Sequence, residues 1–262
     1  MPASLDQIVA ATRRKVAESL RSANLRELED RAQQHVPRGF RQALEKHAAP
    51  AIIAELKKAS PSRGLIRVDF NPADLAVELE AAGAAALSVL TDTEFFLGSL
   101  QNLQKASAAT KIPCLRKDFM VDEFQLLEAR ASRADAVLLI VAALAQSELE
   151  TLAKKAKHYS LDVLCEVHDE KELERAVTAG CDLIGVNSRD LRTFAVDLNT
   201  AFRLANLIPK DVLSVAESGI QKGKDIVSLR AAGYQAFLIG ESLMKAPSPG
   251  DALRTLIAEA ES

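Results

Sequence analysis

Short apolar runs alternate with amphipathic segments along most of the chain, and this alternation predicts strands and helices in turn. The first run, Ala51–Leu56, is too short for a helix and suits a buried parallel strand. Gly180 and Gly233 stand just before later runs, where a glycine ends a helix in the left-handed conformation. Seven such later runs predict strands at residues 86–90, 114–116, 137–141, 163–167, 183–186, 213–216 and 236–239.

Eight strand-and-helix units of this kind imply a parallel sheet with right-handed crossovers. An open doubly wound sheet and a closed barrel both show this pattern, but eight units in 262 residues favour the barrel. No glycine-rich dinucleotide fingerprint follows the first strand, which argues against an open nucleotide-binding sheet. We therefore predict an α/β protein with a single (β/α)8 TIM barrel over residues 49–262.

The pattern in residues 1–48 predicts a helical extension that precedes the barrel in the sequence. Apolar positions recur at helical spacing between residues 5 and 20, with charged residues on the opposite face. The more polar segment that follows is expected to form further helix and loop, packed over one end of the barrel. His35 and His47 lie in this segment and are interpreted as surface side chains.

Composition and charge exclude several classes of function. The 33 basic and 36 acidic residues are mixed along the chain and give a net charge of -3, so there is no basic stripe suited to nucleic acid. Cys114, Cys165 and Cys181 each lie in or beside an apolar run, which is typical of buried thiols in a reducing compartment. The N-terminal segment has no apolar signal core, and the longest apolar run is too short for a bilayer. We expect a soluble cytoplasmic protein without a membrane partner.

Charged residues gather at the carboxyl ends of the predicted strands, where barrels hold their active sites. Glu55 and Lys57 are two residues apart at the end of the first strand, so strand alternation places both side chains on one face. Partial burial of an unpaired ion costs several kcal/mol, so such crowding indicates function. An amine and a carboxylate that shift each other's pKa can act as acid and base. The later strands contribute Thr91, Asp92, Lys117, Asp118, Glu166, His168, Asn187, Arg189 and Glu217.

The segments after the seventh and eighth strands resemble the phosphate-binding loops of barrels. Glu217-Ser218-Gly219-Ile220 and Ile239-Gly240-Glu241-Ser242 place glycines where backbone N–H groups are exposed at helix starts. The Glu241 side chain suits an anion site only if it turns away and the backbone amide alone is used. Arg189 can bind a second anionic group through two hydrogen bonds. These features predict a small phosphorylated substrate.

No set of residues has the spacing of a metal site, and no metal or cofactor is expected. His168 near Glu166 is either a proton relay or a structural histidine. Lys57 or Lys117 can in principle form a Schiff base with a carbonyl substrate.

Several segments together carry a family resemblance. The most specific is IIAELKKASPSRGLIR, which begins at Ile52; the others are LSVLTDTEFFLGSL, CLRKDFM with VDEFQLLEAR, ADAVLLI, LCEVHDEKEL, LIGVNSRDL, AESGI and LIGESLM, which ends at Met244. In these segments the chain resembles the indole-3-glycerol phosphate synthase family, the barrel lyases of tryptophan biosynthesis. The resemblance covers nearly the whole predicted barrel.

The resemblance implies a reaction. The substrate would be 1-(2-carboxyphenylamino)-1-deoxyribulose 5-phosphate, and the products indole-3-glycerol phosphate, carbon dioxide and water. Lys117 matches the general acid and Glu166 the general base, while Lys57, steered by Glu55, would bind the substrate carboxylate and assist the dehydration. Asn187 and Arg189 would position the same end of the substrate. The phosphate site maps to Ser60, Ser218, Gly219, Gly240 and Glu241, and the aromatic pocket to Phe119 and Leu138. Glu217 is a further predicted substrate-binding residue.

Other functions stay open at this point. Phosphoribosylanthranilate isomerase and a Schiff-base aldolase are alternative phosphosugar barrels, and a catalytically inactive scaffold barrel is the alternative outside enzymes. The intact Lys57, Lys117 and Glu166 argue against a scaffold. We expect a monomer or weak homodimer, with a possible association with other tryptophan-pathway enzymes.

Overall fold

A computed structural model describes residues 4–47 and 50–262 of the chain. Eight parallel strands close into a barrel in which each strand pairs with its neighbours in chain order and the last pairs with the first. The predicted TIM barrel is therefore confirmed. The strands are β1 (Ala51–Leu56), β2 (Ala86–Leu90), β3 (Cys114–Lys117), β4 (Ala136–Ile140), β5 (Asp162–Val167), β6 (Leu183–Asn187), β7 (Leu213–Glu217) and β8 (Ala236–Ile239).

Helices surround this barrel and precede it. Gly180 and Gly233, with φ of 73° and 114°, take the left-handed conformation between a helix and the next strand, as predicted. Asn71 caps its helix by accepting a hydrogen bond from the N–H of Ala73. The helices are α1 (Leu5–Ser22), α2 (Leu25–Gln33), α3 (Phe40–Lys46), α4 (Pro72–Ala81), α5 (Leu100–Ala109), α6 (Phe124–Ala131), α7 (Gln146–His158), α8 (Glu170–Thr178), α9 (Asn199–Ala205), α10 (Gly223–Ala231), α11 (Glu241–Lys245) and α12 (Pro249–Glu261).

Two short elements were not predicted. Ala59–Ser60 and Gly64–Leu65 form a small antiparallel hairpin directly after β1. A single 3-10 turn, Val141–Ala143, follows β4. The hairpin stands at the carboxyl end of β1 and carries Arg63 in its turn, which places this guanidinium at the mouth of the barrel.

The extension runs along the barrel and does not cover one end alone. Ile8 of α1 packs in the same cluster as Phe119 at the carboxyl end, whereas Phe40 of α3 packs beneath the interior side chains. The Arg41 N–H donates to Asp162, which begins β5, over 2.9 Å, so α3 closes the amino end. Helix α2 packs beside α6 on the outside of the barrel. The predicted boundary between residues 48 and 49 lies outside the described residues.

His35 is not a surface residue, contrary to the prediction. Its side chain is 5% exposed, and Nε2 lies 2.9 Å from Oδ1 of Asp135. Asp135 also accepts hydrogen bonds from Arg38 and from the N–H of Cys114. Burial opposes the charge of Asp135, but the hydrogen bonds from His35 and Arg38 outweigh it and lower the pKa of this carboxyl. The pattern of local hydropathy could not reveal this site because its partners are about a hundred residues apart in sequence.

The apolar core has two layers, as expected for strands that are buried on both faces. One layer fills the barrel interior with side chains such as Ile53, Leu115 and Leu164, and the other packs the outer strand faces against the helices. Cys114, Cys165 and Cys181 are all buried, as predicted. Among the described residues, no helix combines the length and apolarity needed to cross a membrane.

Candidate active site

A cavity of about 550 Å³ opens at the carboxyl ends of the strands. Parallel pairing explains why distant residues meet there, since the register places Asn187 beside Glu217 and Leu90 beside Lys117 at the same level of the barrel. Most of the predicted site residues line this cavity: Glu55, Lys57, Lys117, Asn187, Arg189, Glu217, Ser218, Gly219, Gly240 and Glu241.

Two lysines and three carboxylates form a cluster at the floor of the cavity, and all but Glu166 line it. Lys57 Nζ lies 2.5 Å from Oε1 of Glu55, on the shared face that strand alternation predicted. Lys117 Nζ lies between two buried carboxylates, 2.8 Å from Oε2 of Glu166 and 2.7 Å from Oε2 of Glu217. The Lys117 side chain is 13% exposed and lines the cavity together with Glu217, while Glu166 lies behind it.

The charges of this cluster depend on one another. Burial opposes the positive charge of Lys117, but the carboxylates of Glu166 and Glu217 outweigh it and raise the lysine pKa. Burial likewise opposes ionisation of Glu166, but Lys117 and His168 outweigh it and lower the pKa of that carboxyl. Near neutral pH the pair therefore holds an ammonium group and a carboxylate, which are an acid and a base in contact.

Glu217 differs from Glu166 although both contact the same lysine. Its burial, reinforced by the negative charge of Glu166, raises its pKa from 4.5 to about 7, despite the attraction of Lys117. Oε1 of Glu217 is buried and has no hydrogen-bond partner among the described residues. Gly185 makes room for this oxygen, because a Cβ at that position would overlap it and would lie 3.2 Å from Cδ1 of Leu164. The sequence grouped Glu217 with the phosphate loop, but its side chain lies in the lysine cluster.

The loop after β7 and the start of α11 form one wall of the cavity. Ser218 and Gly219 both have positive φ, of 63° and 82°, which turns the chain sharply after Glu217. Gly240 precedes α11 and packs directly on Glu55, because a Cβ there would lie only 2.8 Å from the Cβ of Glu55. The backbone of both loops therefore borders the cavity at close range.

The Glu241 side chain does not turn away from this wall. Its carboxylate contacts Arg63 at 3.0 Å, Arg189 at 3.3 Å and Lys245 at 2.6 Å. Burial opposes its ionisation, but Lys245, Arg63 and Arg189 outweigh it and lower the pKa of Glu241. Three cations thus surround the mouth of the cavity and share one carboxylate, so this rim keeps an excess of positive charge.

Four predicted residues do not line the cavity directly. Glu166 lies behind Lys117 and is 2% exposed, and Ser60 lies in the hairpin after β1. Phe119 and Leu138 belong to the interior apolar cluster, and the Phe119 ring lies 6.3 Å from the Phe96 ring, which does line the cavity. The aromatic side of the cavity is therefore formed by Phe96 with Phe119 behind it.

Two of the charged or polar residues at the strand ends have a structural role. Thr91 and Asp118 point away from the cavity and pair with the buried Arg116, with Asp118 Oδ2 3.0 Å from its Nη2. Phe96 and Lys245 line the cavity but were not predicted from the sequence. The adjacent phenylalanines in the loop after β2 are the sequence feature that could have indicated Phe96.

Within residues 4–47 and 50–262, no group of three or more His, Cys, Asp or Glu side chains is arranged to hold a metal ion.

Comparison with known proteins decides the family. The family model described as indole-3-glycerol phosphate synthase matches residues 5–256. The chain belongs to the indole-3-glycerol phosphate synthase family. An indole-3-glycerol phosphate synthase of Koribacter versatilis is 57% identical over 259 residues, covering 98% of this chain and 100% of that protein. One of Acinetobacter baylyi is 48% identical over 255 residues, covering 96% of this chain and 94% of that protein.

Solved structures support the fold of this synthase family member. A 3-hexulose-6-phosphate synthase structure has a TM-score of 0.63 at 16% identity and covers 80% of this chain and 99% of its own. A thiamine phosphate pyrophosphorylase from Pyrococcus furiosus has a TM-score of 0.61 at 16% identity and covers 80% and 95%. At these identities the similarity establishes the barrel architecture alone.

Proposed function

We propose that this chain converts 1-(2-carboxyphenylamino)-1-deoxyribulose 5-phosphate into indole-3-glycerol phosphate, carbon dioxide and water. The observation that carries the proposal is the cluster at the cavity floor, where Lys117 lies between Glu166 and Glu217 next to the Lys57–Glu55 pair. The reaction needs an acid for a carbonyl oxygen, a base for a carbon-bound proton and a site for a phosphate. The family to which the chain belongs supports this reaction, and the cavity contains groups that can serve as the acid, the base and the phosphate site.

Lys117 is the general acid for ring closure in this proposal. The aromatic carbon that bears the carboxylate attacks the ribulose carbonyl, and the oxygen of that carbonyl takes a proton from Lys117. The two carboxylates keep the amine protonated until this moment, since they raise its pKa. The alkoxide that develops is a stronger base than an amine, so the transfer is favourable in the transition state. Loss of carbon dioxide then restores the aromatic ring.

Glu166 is the general base for the dehydration. The new hydroxyl leaves as water after protonation, and a proton leaves the neighbouring carbon to form the indole double bond. Glu166 stays ionised because Lys117 and His168 lower its pKa, and its Oε2 lies 2.8 Å from Lys117 Nζ. This contact lets the lysine and the carboxylate exchange the proton that each step moves.

Lys57 binds the substrate carboxylate before it leaves and assists the loss of water. Its ammonium group lines the cavity and is oriented by Glu55 through a contact of 2.5 Å. Asn187 and Arg189 line the cavity beside it, and the N–H of Arg189 donates to Oδ1 of Asn187 over 3.0 Å. These groups position the end of the substrate that carries the anthranilate carboxylate.

The rim that surrounds Glu241 binds the phosphate: the Glu241 side chain does not turn away, but Arg63 and Lys245 outnumber its single negative charge. Ser218, Gly219 and Gly240 expose backbone there, and Arg63 and Lys245 add positive charge at the same wall. Ser60 lies in the adjacent hairpin, and Glu217 contributes through Lys117 and not through the phosphate. Phe96, backed by Phe119 and the buried Leu138, borders the aromatic ring of the substrate.

The family's substrate is a phosphorylated small molecule, and no part of the proposal requires a nucleic acid. Action in the cytoplasm, a monomeric or weakly dimeric state and association with other tryptophan-pathway enzymes stay predictions from the sequence.

Two measurements on the wild-type protein test the proposed function. Incubation with the carboxyphenylamino-deoxyribulose phosphate should release carbon dioxide and form an indole chromophore in a one-to-one ratio. Borohydride added during turnover should leave the protein mass unchanged, because no Schiff base forms in this reaction. An inactive folded protein, or a covalently trapped lysine, would contradict the proposal.

A further inference from the structure

His168 follows β5 and is held in place from the helix side. Its side chain is 14% exposed, and Nδ1 lies 2.9 Å from Oε2 of Glu172 in α8. The same carboxylate oxygen accepts the backbone N–H of His168 over 2.8 Å. The N–H of Glu172 in turn donates to Oδ1 of Asp169, which caps the helix. The imidazole is therefore oriented by a fixed helix start.

The other ring nitrogen faces Glu166. Nε2 of His168 lies 3.4 Å from Oε1 of Glu166, and it is buried without a hydrogen-bond partner among the described residues. Glu166 thus has a cation on each oxygen, because Oε2 lies 2.8 Å from Lys117 Nζ. A buried donor without a close partner is costly, so Nε2 and Oε1 gain by closing this gap.

We propose that His168 is a positioning residue, which Glu172 orients and which holds Oε1 of Glu166 so that Oε2 faces the reacting centre. The inference rests on the proposed function, because that function makes Glu166 the general base. It also explains why the chain places a second cation behind a carboxylate that already has Lys117 as a partner.

The need for this second cation follows from the proposed proton transfers. When Lys117 gives its proton to the substrate, it loses its charge, and Glu166 loses the counter-ion that fixes Oε2. His168 keeps a positive charge on the far oxygen throughout, so Glu166 stays ionised and does not rotate. Burial opposes the imidazolium, but Glu166 and Glu172 outweigh it and raise the pKa of His168 to about 10. On the side of Glu166, Lys117 and Glu217 are the other charged groups that face the pair.

Substitution of His168 tests this role through kcat, KM and their pH dependence. His168→Leu removes the donor and the charge, and we expect kcat to fall roughly 10- to 100-fold with little change in KM. The acid limb of the kcat profile should move to higher pH, because loss of the imidazolium raises the pKa of Glu166. His168→Gln keeps a neutral donor, and it should recover part of kcat but show the same movement of the limb.

Two glutamate variants on α8 provide a second test and its matched control. Glu172→Gln removes the carboxylate that orients the ring and should give an intermediate loss of kcat. Glu174→Gln removes an equal charge from an exposed position of the same helix and should leave kcat and its pH profile unchanged. An unchanged kcat and acid limb in His168→Leu, with an active wild type, would overturn the inference and leave the proposed function intact.

A measurement on the unliganded protein separates the two proposals. Nitrogen-15 NMR of the His168 ring should show both nitrogens protonated at pH 8, and Glu166→Gln should lower the pKa of that ring. A neutral imidazole at pH 8 in the wild type would overturn the positioning role even if turnover were absent. So would a His168 pKa that Glu166→Gln leaves unchanged. Failure of the turnover assay alone would overturn the proposed function and leave this pair in place.

Discussion

Ionisation of Glu217 should destabilise the fold. Replacing this carboxylate by a neutral group should therefore stabilise the protein at high pH. Glu217 is 1% exposed, and its Oε1 has no hydrogen-bond partner in the described part of the chain. Burial and the charge of Glu166 raise its pKa from 4.5 to about 7. Lys117 therefore contacts two carboxylates, Glu166 and Glu217, although one carboxylate would balance its positive charge.

The magnitude follows from the two pKa values. Between pH 4.5 and about 7, the folded protein holds a proton on Glu217 that the unfolded chain has released. The stabilisation from this proton is complete below pH 4.5 and is lost as the pH rises through 7. The difference corresponds to on the order of 3 kcal/mol of unfolding free energy. For a protein of this size, about 1 kcal/mol moves the melting temperature by roughly 2–4 °C.

Glu217→Gln keeps the shape of the side chain and removes its charge. At pH 5 the wild-type carboxyl is protonated, so the two proteins should melt at nearly the same temperature. At pH 9 the variant should melt several degrees higher, while its kcat falls because Lys117 has lost one of the groups that hold it. Calorimetry at the two pH values and turnover at one of them test both expectations.

Glu123→Gln is the control for this experiment, because Glu123 forms an exposed ion pair with Lys155 at 3.1 Å. Exposed pairs contribute about 0–1 kcal/mol, so this variant should show no gain at pH 9. A Glu217→Gln protein that is destabilised equally at pH 5 and pH 9 would refute the reasoning, since the loss would then come from packing and not from charge.

Three further substitutions test other parts of the structure. Gly185→Ala should displace the Glu217 carboxylate by about 1 Å, because its Cβ would overlap Oε1, and should lower kcat by roughly 100-fold; wild-type turnover would contradict this account. Glu241→Gln should strengthen inhibition by inorganic phosphate several-fold, since about 1 kcal/mol of repulsion is removed, and weaker inhibition would argue against a phosphate site at this rim. Asp135→Asn should lower stability by about 3–5 kcal/mol while kcat at 25 °C is kept, whereas the exposed Asp251→Asn should change little; similar melting temperatures for the two would be inconsistent with the buried network.

Local pattern predicted the barrel well because its strands and helix ends are determined locally. The parallel strands are buried on both faces and read as apolar runs, and Gly180 and Gly233 mark the ends of helices by a conformation that other residues rarely adopt. Alternation within one strand also predicted that Glu55 and Lys57 would lie on the same face, where they form an ion pair. These statements depend on neighbours in sequence, which a single chain displays directly.

Contacts between distant segments were not accessible in the same way. The buried position of His35 depends on Asp135, a hundred residues away. The contact of Glu217 with Lys117 joins β7 and β3, which do not pair with each other. The path of the extension from one end of the barrel to the other depends on packing against helices that follow it. Most of the site residues from the family resemblance line one cavity, but the contacts between them depend on the fold.

The Lys117 substitution tests the central claim most directly. Turnover of the carboxyphenylamino-deoxyribulose phosphate should be compared between wild type, Lys117→Met and Lys155→Met, with folding of each checked by circular dichroism. The account predicts that Lys155→Met, at an exposed position, keeps full kcat, and that Lys117→Met loses at least 100-fold in kcat. Equal turnover in both variants would contradict the assignment of Lys117 as the general acid.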